Sequence, residues 1–364
     1  MTRGAAQTHR LRLLLPGDPR TATGGYLYDR HMAEGLRALA WQVDVICLDA
    51  SFPAPTVEAL EQADRTLALL EDDALVLIDG LALGAMPEVA QRHAQRLRLI
   101  ALVHHPLALE TGLNAARMQW LEHAERAALK AVRRVVVTSP ETAATLGHYA
   151  VRPADIQVVE PGTDAAPLAR HRGGADSGNA ATGLSLLCVA TLSRRKGHDL
   201  LFAALSGLRD RNWHLTCVGS PDLDPATAAQ LQTQRQELGL AARITLSGSI
   251  SGAALQRVYR DSDVFILPSR YEGYGMAVAE ALTHGLPVIA TRTGAIARLV
   301  PDTAGLIVPP DDAQALRAAL EQMLDDRELR GRLGDGAWRI RTGLRSWAQA
   351  ARELSAVLQD LDTP

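Results

Sequence analysis

Lysine is nearly missing from this chain. Of 38 basic residues only Lys130 and Lys196 are lysines, so each marks a position where a compact ammonium is a candidate requirement. Cysteine is scarce as well. Cys47, Cys188 and Cys217 make an odd count, each inside an apolar, strand-like run, which excludes a disulfide framework and predicts reduced core thiols in a cytoplasmic protein. No apolar stretch is long enough to span a bilayer, and the opening MTRGAAQTHRLRLLLPG reaches Pro16 too soon for a signal peptide. Excess charge of one sign is lacking too: a net charge of −3 supplies no basic field for nucleic acid. No G-x-G-x-x-G follows any strand, which argues against a nicotinamide oxidoreductase.

At 364 residues, 47% hydrophobic and 22% charged, the chain suits a globular protein of two domains. Short apolar runs at 11–15, 43–48, 74–78, 99–103, 135–138 and 157–159 alternate with helical patterns. The alternation resumes at 184–190, 215–219, 244–247, 264–267 and 288–290. Strands alternating with helices predict doubly wound parallel sheets. Between the two sets, GGADSGNAATG at 173–183 is small, polar and aperiodic, and reads as a linker. The expected domains are therefore 1–172 and 184–345, with an amphipathic helix in 346–364; residues 311–332 read as one further helix.

The most informative stretch is 263–294, DVFILPSRYEGYGMAVAEALTHGLPVIATRTG, a βαβ unit by its pattern. Its loop sets Glu272 beside Gly273 and Gly275, and Glu280 follows about a turn into the helix. In an open parallel sheet this loop lies at the carboxyl end of the strands, where ligands bind, and amides at the helix start can hold hydroxyls or a phosphate. Three more loops sit at strand ends. Gly24 and Gly25 precede a helical pattern, His104 and His105 follow the strand at 99–103, and Arg195 with Lys196 stands between a strand and a helix, where cations can hold a diphosphate. Adjacent histidines on an extended segment point to opposite faces, and no Asp or Cys stands nearby in sequence, so neither is expected to bind metal.

Glu272, Gly273, Tyr274, Gly275 and Met276, with Glu280 and then Gly285, Pro287, Val288 and Ala290, resemble the signature of the group-1 (family 4) retaining glycosyltransferases. The resemblance implies the GT-B fold, two Rossmann-like doubly wound α/β domains facing each other across a cleft, with the last helix crossing back to the first domain. It also implies a nucleotide-sugar donor, no cofactor and no metal. By the same resemblance Glu280 holds the ribose hydroxyls, while Glu272 and the backbone of Gly273, Tyr274, Gly275, Met276 and Ala277 hold the sugar. Arg195 and Lys196 clamp the diphosphate, Gly24 and Gly25 reach it from the first domain, and Ile250, in a G-S-I loop, lies against the base. His104, with His105 as its rival, lies near donor sugar and acceptor.

The chain departs from the family at Thr191, where many members carry a clamp arginine, so that Arg195 or Arg194 must supply the second cation, and at Ala297 and Arg298, where the usual segment ends in Pro-Glu. These departures keep open a catalytically silent nucleotide-sugar-binding homologue, and the fold also serves epimerases and phosphorylases. The acceptor, whether glycan, lipid or small molecule, is unspecified. Arg92, His93, Arg96 and Arg98 form a basic cluster on a predicted helix, read either as a solvated face or as a weak peripheral contact with the inner face of an anionic membrane.

Overall fold

The computed structural model describes residues 9–169 and 183–362. Two compact units make up the chain, one holding the residues up to Gly162 and those from Arg345 onward, the other running from Thr163 to Leu344. In the first unit six parallel strands stand in the order β2-β1-β3-β4-β5-β6: β1 Arg10–Pro16, β2 Gln42–Leu48, β3 Leu75–Asp79, β4 Arg98–Val103, β5 Arg134–Val137 and β6 Ile156–Val158. The second unit repeats the plan in the order β12-β11-β10-β7-β8-β9, with β7 Leu184–Val189, β8 Trp213–Val218, β9 Ile244–Leu246, β10 Val264–Leu267, β11 Val288–Thr291 and β12 Gly305–Val308. Both are the doubly wound α/β sheets expected.

Burial explains the sequence pattern of the strands. Every residue of β3, β10 and β11 is buried, as in central strands of a parallel sheet covered by helices on both faces. β2 lies at an edge and is only partly covered. Cys47 is therefore exposed, while Cys188 and Cys217 are buried; the expectation of three core thiols fails at the edge strand.

Two boundaries differ from expectation. The chain leaves the first unit at Gly162, ahead of the predicted linker, of which only Gly183 is among the described residues. Ala169 donates its N–H to the His284 carbonyl at 2.9 Å, and the His284 ring meets the Pro167 carbonyl at 2.7 Å, so this stretch is already bound to the second unit. The helix expected over 311–332 is two helices, Ala313–Asp325 and Arg327–Ile340. Asp326 breaks them, leaving helical geometry and accepting the Leu329 N–H at 2.8 Å as the cap of the second. The final helix, Trp347–Asp362, belongs to the first unit: Trp347 stacks on His31 with centroids 4.1 Å apart, and Trp41 donates to Ser355 at 2.9 Å.

Candidate active site

In the second unit, β7 runs into a 3-10 turn, Arg194–Lys196, followed by the helix His198–Ser206. Gly197 joins them at φ +69°, and a Cβ there would stand 2.1 Å from the Pro268 carbonyl, so only glycine lets this turn lie against the end of β10. The approach brings Lys196 to Glu272: its Nζ donates to Oε1 at 2.5 Å. Arg195 stands 4.0 Å from the other carboxylate oxygen and donates to the Tyr271 carbonyl at 3.1 Å. Two residues that the sequence places in separate roles thus form one ion pair.

Burial alone would raise the Glu272 carboxyl, but the charges of Lys196 and Arg195 and the hydrogen bonds from Lys196 and Ser269 outweigh it and hold it below the usual carboxylate range. Ser269 donates to Oε1 at 2.7 Å. Behind the loop, Gly294 lies at φ +48° where a Cβ would stand 1.7 Å from the Glu272 carbonyl. That contact fixes the Glu272 peptide against the segment after β11.

Arg270 is a site residue that sequence reasoning missed. Its guanidinium grips Asp199 in two parallel bonds of 2.8 and 2.7 Å, reaches Asp311 at 2.7 Å and donates to the Arg194 carbonyl at 2.6 Å. The Arg270 N–H also meets the Arg195 carbonyl at 2.7 Å. Arg270 therefore braces the cationic turn against the Glu272 loop from outside the loop's ligand-facing residues.

The helix Met276–Thr283 starts at Gly275 with no side-chain cap. Met276 and Ala277 open it half-buried, and Tyr274 packs into the core. Glu280 sits about one turn into it, beside buried Tyr259. Burial pushes its carboxyl up, a hydrogen bond from Tyr259 pulls it down and the charge of Asp164 pushes it up again, to about 7. Ile250, half-buried, packs against the unit's core between β9 and the helix Gly252–Arg260. Ala297 and Arg298 are exposed on the short helix Ile296–Leu299.

In the first unit, Gly24 and Gly25 are the opening residues of the helix Gly24–Ala38, capped by Thr23. His104 follows β4, and its ring lies against Gly25, where a Cβ would be 3.3 Å from Cδ2. Two buried carboxylates meet the ring: Asp29, on that helix, and Asp79, at the end of β3, each place an oxygen 3.2 Å from Nε2. This corrects the expectation that no acidic residue completes a ligand set with the histidines; the three donor atoms lie within 4.8 Å of one another. Burial alone would lower the His104 pKa, but Asp29 and Asp79 reverse it and raise it to about 10. His105 instead meets Glu110 at 3.4 Å.

The basic cluster is spent inside the first unit. Arg92 and His93 both pair with Asp64, Arg96 donates to the carbonyls of Leu67 and Leu70 at 2.7 and 2.5 Å, and Arg98 opens β4 and donates to the Leu361 carbonyl at 2.7 Å. The four do not share the predicted helix. No helix among the described residues is long and apolar enough to cross a membrane.

Two family profiles match the chain, Glycosyl transferases group 1 over residues 175–339 and Glycosyltransferase Family 4 over residues 75–166. Over 327 residues the chain is 28% identical to MMP alpha-(1->4)-mannosyltransferase of Mycolicibacterium hassiacum, covering 85% of this chain and 76% of that protein. It is 32% identical over 237 residues to D-inositol 3-phosphate glycosyltransferase of Corynebacterium glutamicum, covering 62% of this chain but only 56% of that protein. Among solved structures, sucrose-phosphate synthase from Thermosynechococcus elongatus matches with a TM-score of 0.80 at 23% identity over 97% of this chain and 99% of that one. Anabaena HepE in complex with UDP-glucose matches with a TM-score of 0.74 at 16% identity, over 96% and 99%.

Proposed function

The chain belongs to the group 1 glycosyltransferases of the family 4 type and has their GT-B fold, and from this premise we propose that it moves a hexosyl unit from a nucleoside diphosphate sugar to an acceptor hydroxyl, with retention of α configuration, in the cytoplasm. The observation that carries the reading is the Lys196, Arg195 and Glu272 cluster at the carboxyl end of the second sheet. Two cations beside Glu272, followed a few residues on by the uncapped start of the helix Met276–Thr283, support a diphosphate site. Glu280 takes the ribose hydroxyls, Glu272 and the backbone from Gly273 to Ala277 take the sugar, and Ile250 lies against the base. Gly24, Gly25 and His104 are assigned to the first unit's share of the substrates, and that unit takes the acceptor.

In the transfer, the bond from the acceptor oxygen to the anomeric carbon forms on the face from which the bond to phosphate breaks. The acceptor proton passes to the departing phosphate oxygen, and the nucleoside diphosphate leaves with its added charge met by Lys196 and Arg195. No metal is required at the diphosphate, because the side chains supply the charge. UDP-glucose in the HepE structure supports the donor class without fixing base or sugar for this chain.

A panel of GDP-, UDP- and ADP-sugars screened by thermal denaturation tests the reading. A true donor at 100 times its dissociation constant stabilises by about 2.7 kcal/mol. That gain is expected to persist in EDTA and to shrink in Lys196→Ala, each variant being compared with its own ligand-free form. A chain indifferent to every nucleotide sugar overturns the proposal, and stabilisation that vanishes in EDTA overturns the metal-free diphosphate site.

A further inference from the structure

We propose that Asp29, Asp79 and His104, all in the first unit, form a binding site for a divalent transition-metal cation of the zinc or manganese class. Three observations converge. The first is spacing: His104 Nε2 stands 3.2 Å from Oδ1 of Asp29 and 3.2 Å from Oδ2 of Asp79. Donors around a tetrahedral zinc with bonds near 2 Å are separated by about 3.3 Å; both nitrogen–oxygen separations match that spacing, and all three donor atoms lie within 4.8 Å of one another.

The second is an unmet group. Asp29 is 0% exposed, yet its Oδ2 has no hydrogen-bond partner, which is costly for a buried carboxylate. A cation held by both oxygens of Asp29 gives Oδ2 a partner as well as Oδ1. The third is charge. A proton on His104 offsets only one of two carboxylates, whereas a divalent cation with a neutral ring offsets both and leaves the buried cluster neutral. Imidazole with carboxylate oxygens suits zinc or manganese, and a three-residue set leaves a fourth position for water. The ligands come from the helix Gly24–Ala38 and the ends of adjacent strands β3 and β4, which are rigid elements able to hold such geometry.

The test is calorimetric titration of the metal-stripped full chain with Zn²⁺ and Mn²⁺, with Mg²⁺ as comparison. We expect a one-to-one complex with Zn²⁺ or Mn²⁺, weakened on the order of 10²-fold or more in Asp29→Asn and in Asp79→Asn, and unchanged in Asp64→Asn, which alters the other histidine–carboxylate pair at His93. Should the Asn variants fail to fold, the ring ¹⁵N resonances of His104 in the wild-type chain give a second readout, since zinc must replace the proton on Nε2. An absence of binding heat together with unmoved His104 resonances at saturating metal overturns the site. So does binding that survives both Asn substitutions. Neither readout uses a sugar donor, so the outcome is independent of the assigned transferase reaction.

Discussion

At the scale of the residue, Lys196 is the side chain whose context the sequence least reveals. A lysine in an arginine-rich chain marks a place that wants an ammonium, and the structure supplies the geometric reason: Nζ fits 2.5 Å from a nearly buried Glu272 carboxylate while Arg195 occupies the other side at 4.0 Å. Without ligand, the cation assigned to a diphosphate already has an anionic partner. Donor binding must share or break that pair. Removing one member of a buried pair costs about 3–5 kcal/mol, and with Lys196 15% and Glu272 7% exposed the lower end applies. Lys196→Ala is therefore expected to lose about 3 kcal/mol of unfolding free energy in urea denaturation at pH 7, with much of it recovered in Lys196→Met combined with Glu272→Gln. Glu272 is held below its ordinary 4.5, so its share of stability is present above pH 4.5 and fades as pH falls through the folded value. The cost of Lys196→Ala should shrink in acid. A cost below about 1 kcal/mol at pH 7 would mean the pair behaves as an exposed one.

The elements place these side chains, and two helices make the argument testable. Asp326 ends one helix and caps the next through the Leu329 N–H at 2.8 Å. A capping aspartate changed to alanine costs about 0.5–2 kcal/mol, so Asp326→Ala should lower the unfolding free energy by that amount without altering nucleotide affinity; loss of affinity would contradict a purely local cap. The helix Met276–Thr283 holds Glu280 beside Tyr259, with a carboxyl at about 7. If only the carboxylate accepts the ribose hydroxyls, nucleoside diphosphate affinity should fall about tenfold from pH 8 to pH 6, and Glu280→Gln should flatten the profile at the weaker level. Calorimetric titration at the two pH values checks both statements. A wild-type profile as flat as that of Glu280→Gln removes Glu280 from the ribose assignment.

Across the whole molecule, what was legible in the sequence is what depends on local order. Of the twelve strands among the described residues, eleven stand out as apolar runs, the central ones most clearly because a parallel strand buried on both faces must be apolar throughout. The one missed, Gly305–Val308, is four residues long and opens on glycine, so it offers only three apolar residues in a row. The Glu272 to Ala290 signature was readable because its members are consecutive on one βαβ unit. The cluster at His104 was not, since Asp29 and Asp79 come from two other elements and sequence spacing carries no trace of the meeting. Only the placement of Asp79 and His104 at the ends of neighbouring strands could have hinted at it. Glu125 was invisible for the same reason, and it governs a property of the whole chain. It lies on the helix Ala115–Leu129, is 1% exposed and takes the Leu107 N–H at 3.0 Å, while its Oε1 has no partner. Burial pushes its carboxyl up, opposed by the Leu107 bond, to about 8. A folded value above the unfolded 4.5 means a contribution to stability that is complete below pH 4.5 and is lost as pH rises through about 8. Glu125→Gln keeps the acceptor for Leu107 and removes the ionisation. It should match the wild type near pH 4 and become the more stable chain as pH rises, by on the order of 4–5 kcal/mol at pH 9, since each tenfold change in the carboxyl's proton affinity on folding is worth about 1.4 kcal/mol. Thermal and urea denaturation of the two chains across that range decide it: a stability difference that stays constant from pH 4 to pH 9 would show that the Glu125 carboxyl does not change its proton occupancy on folding.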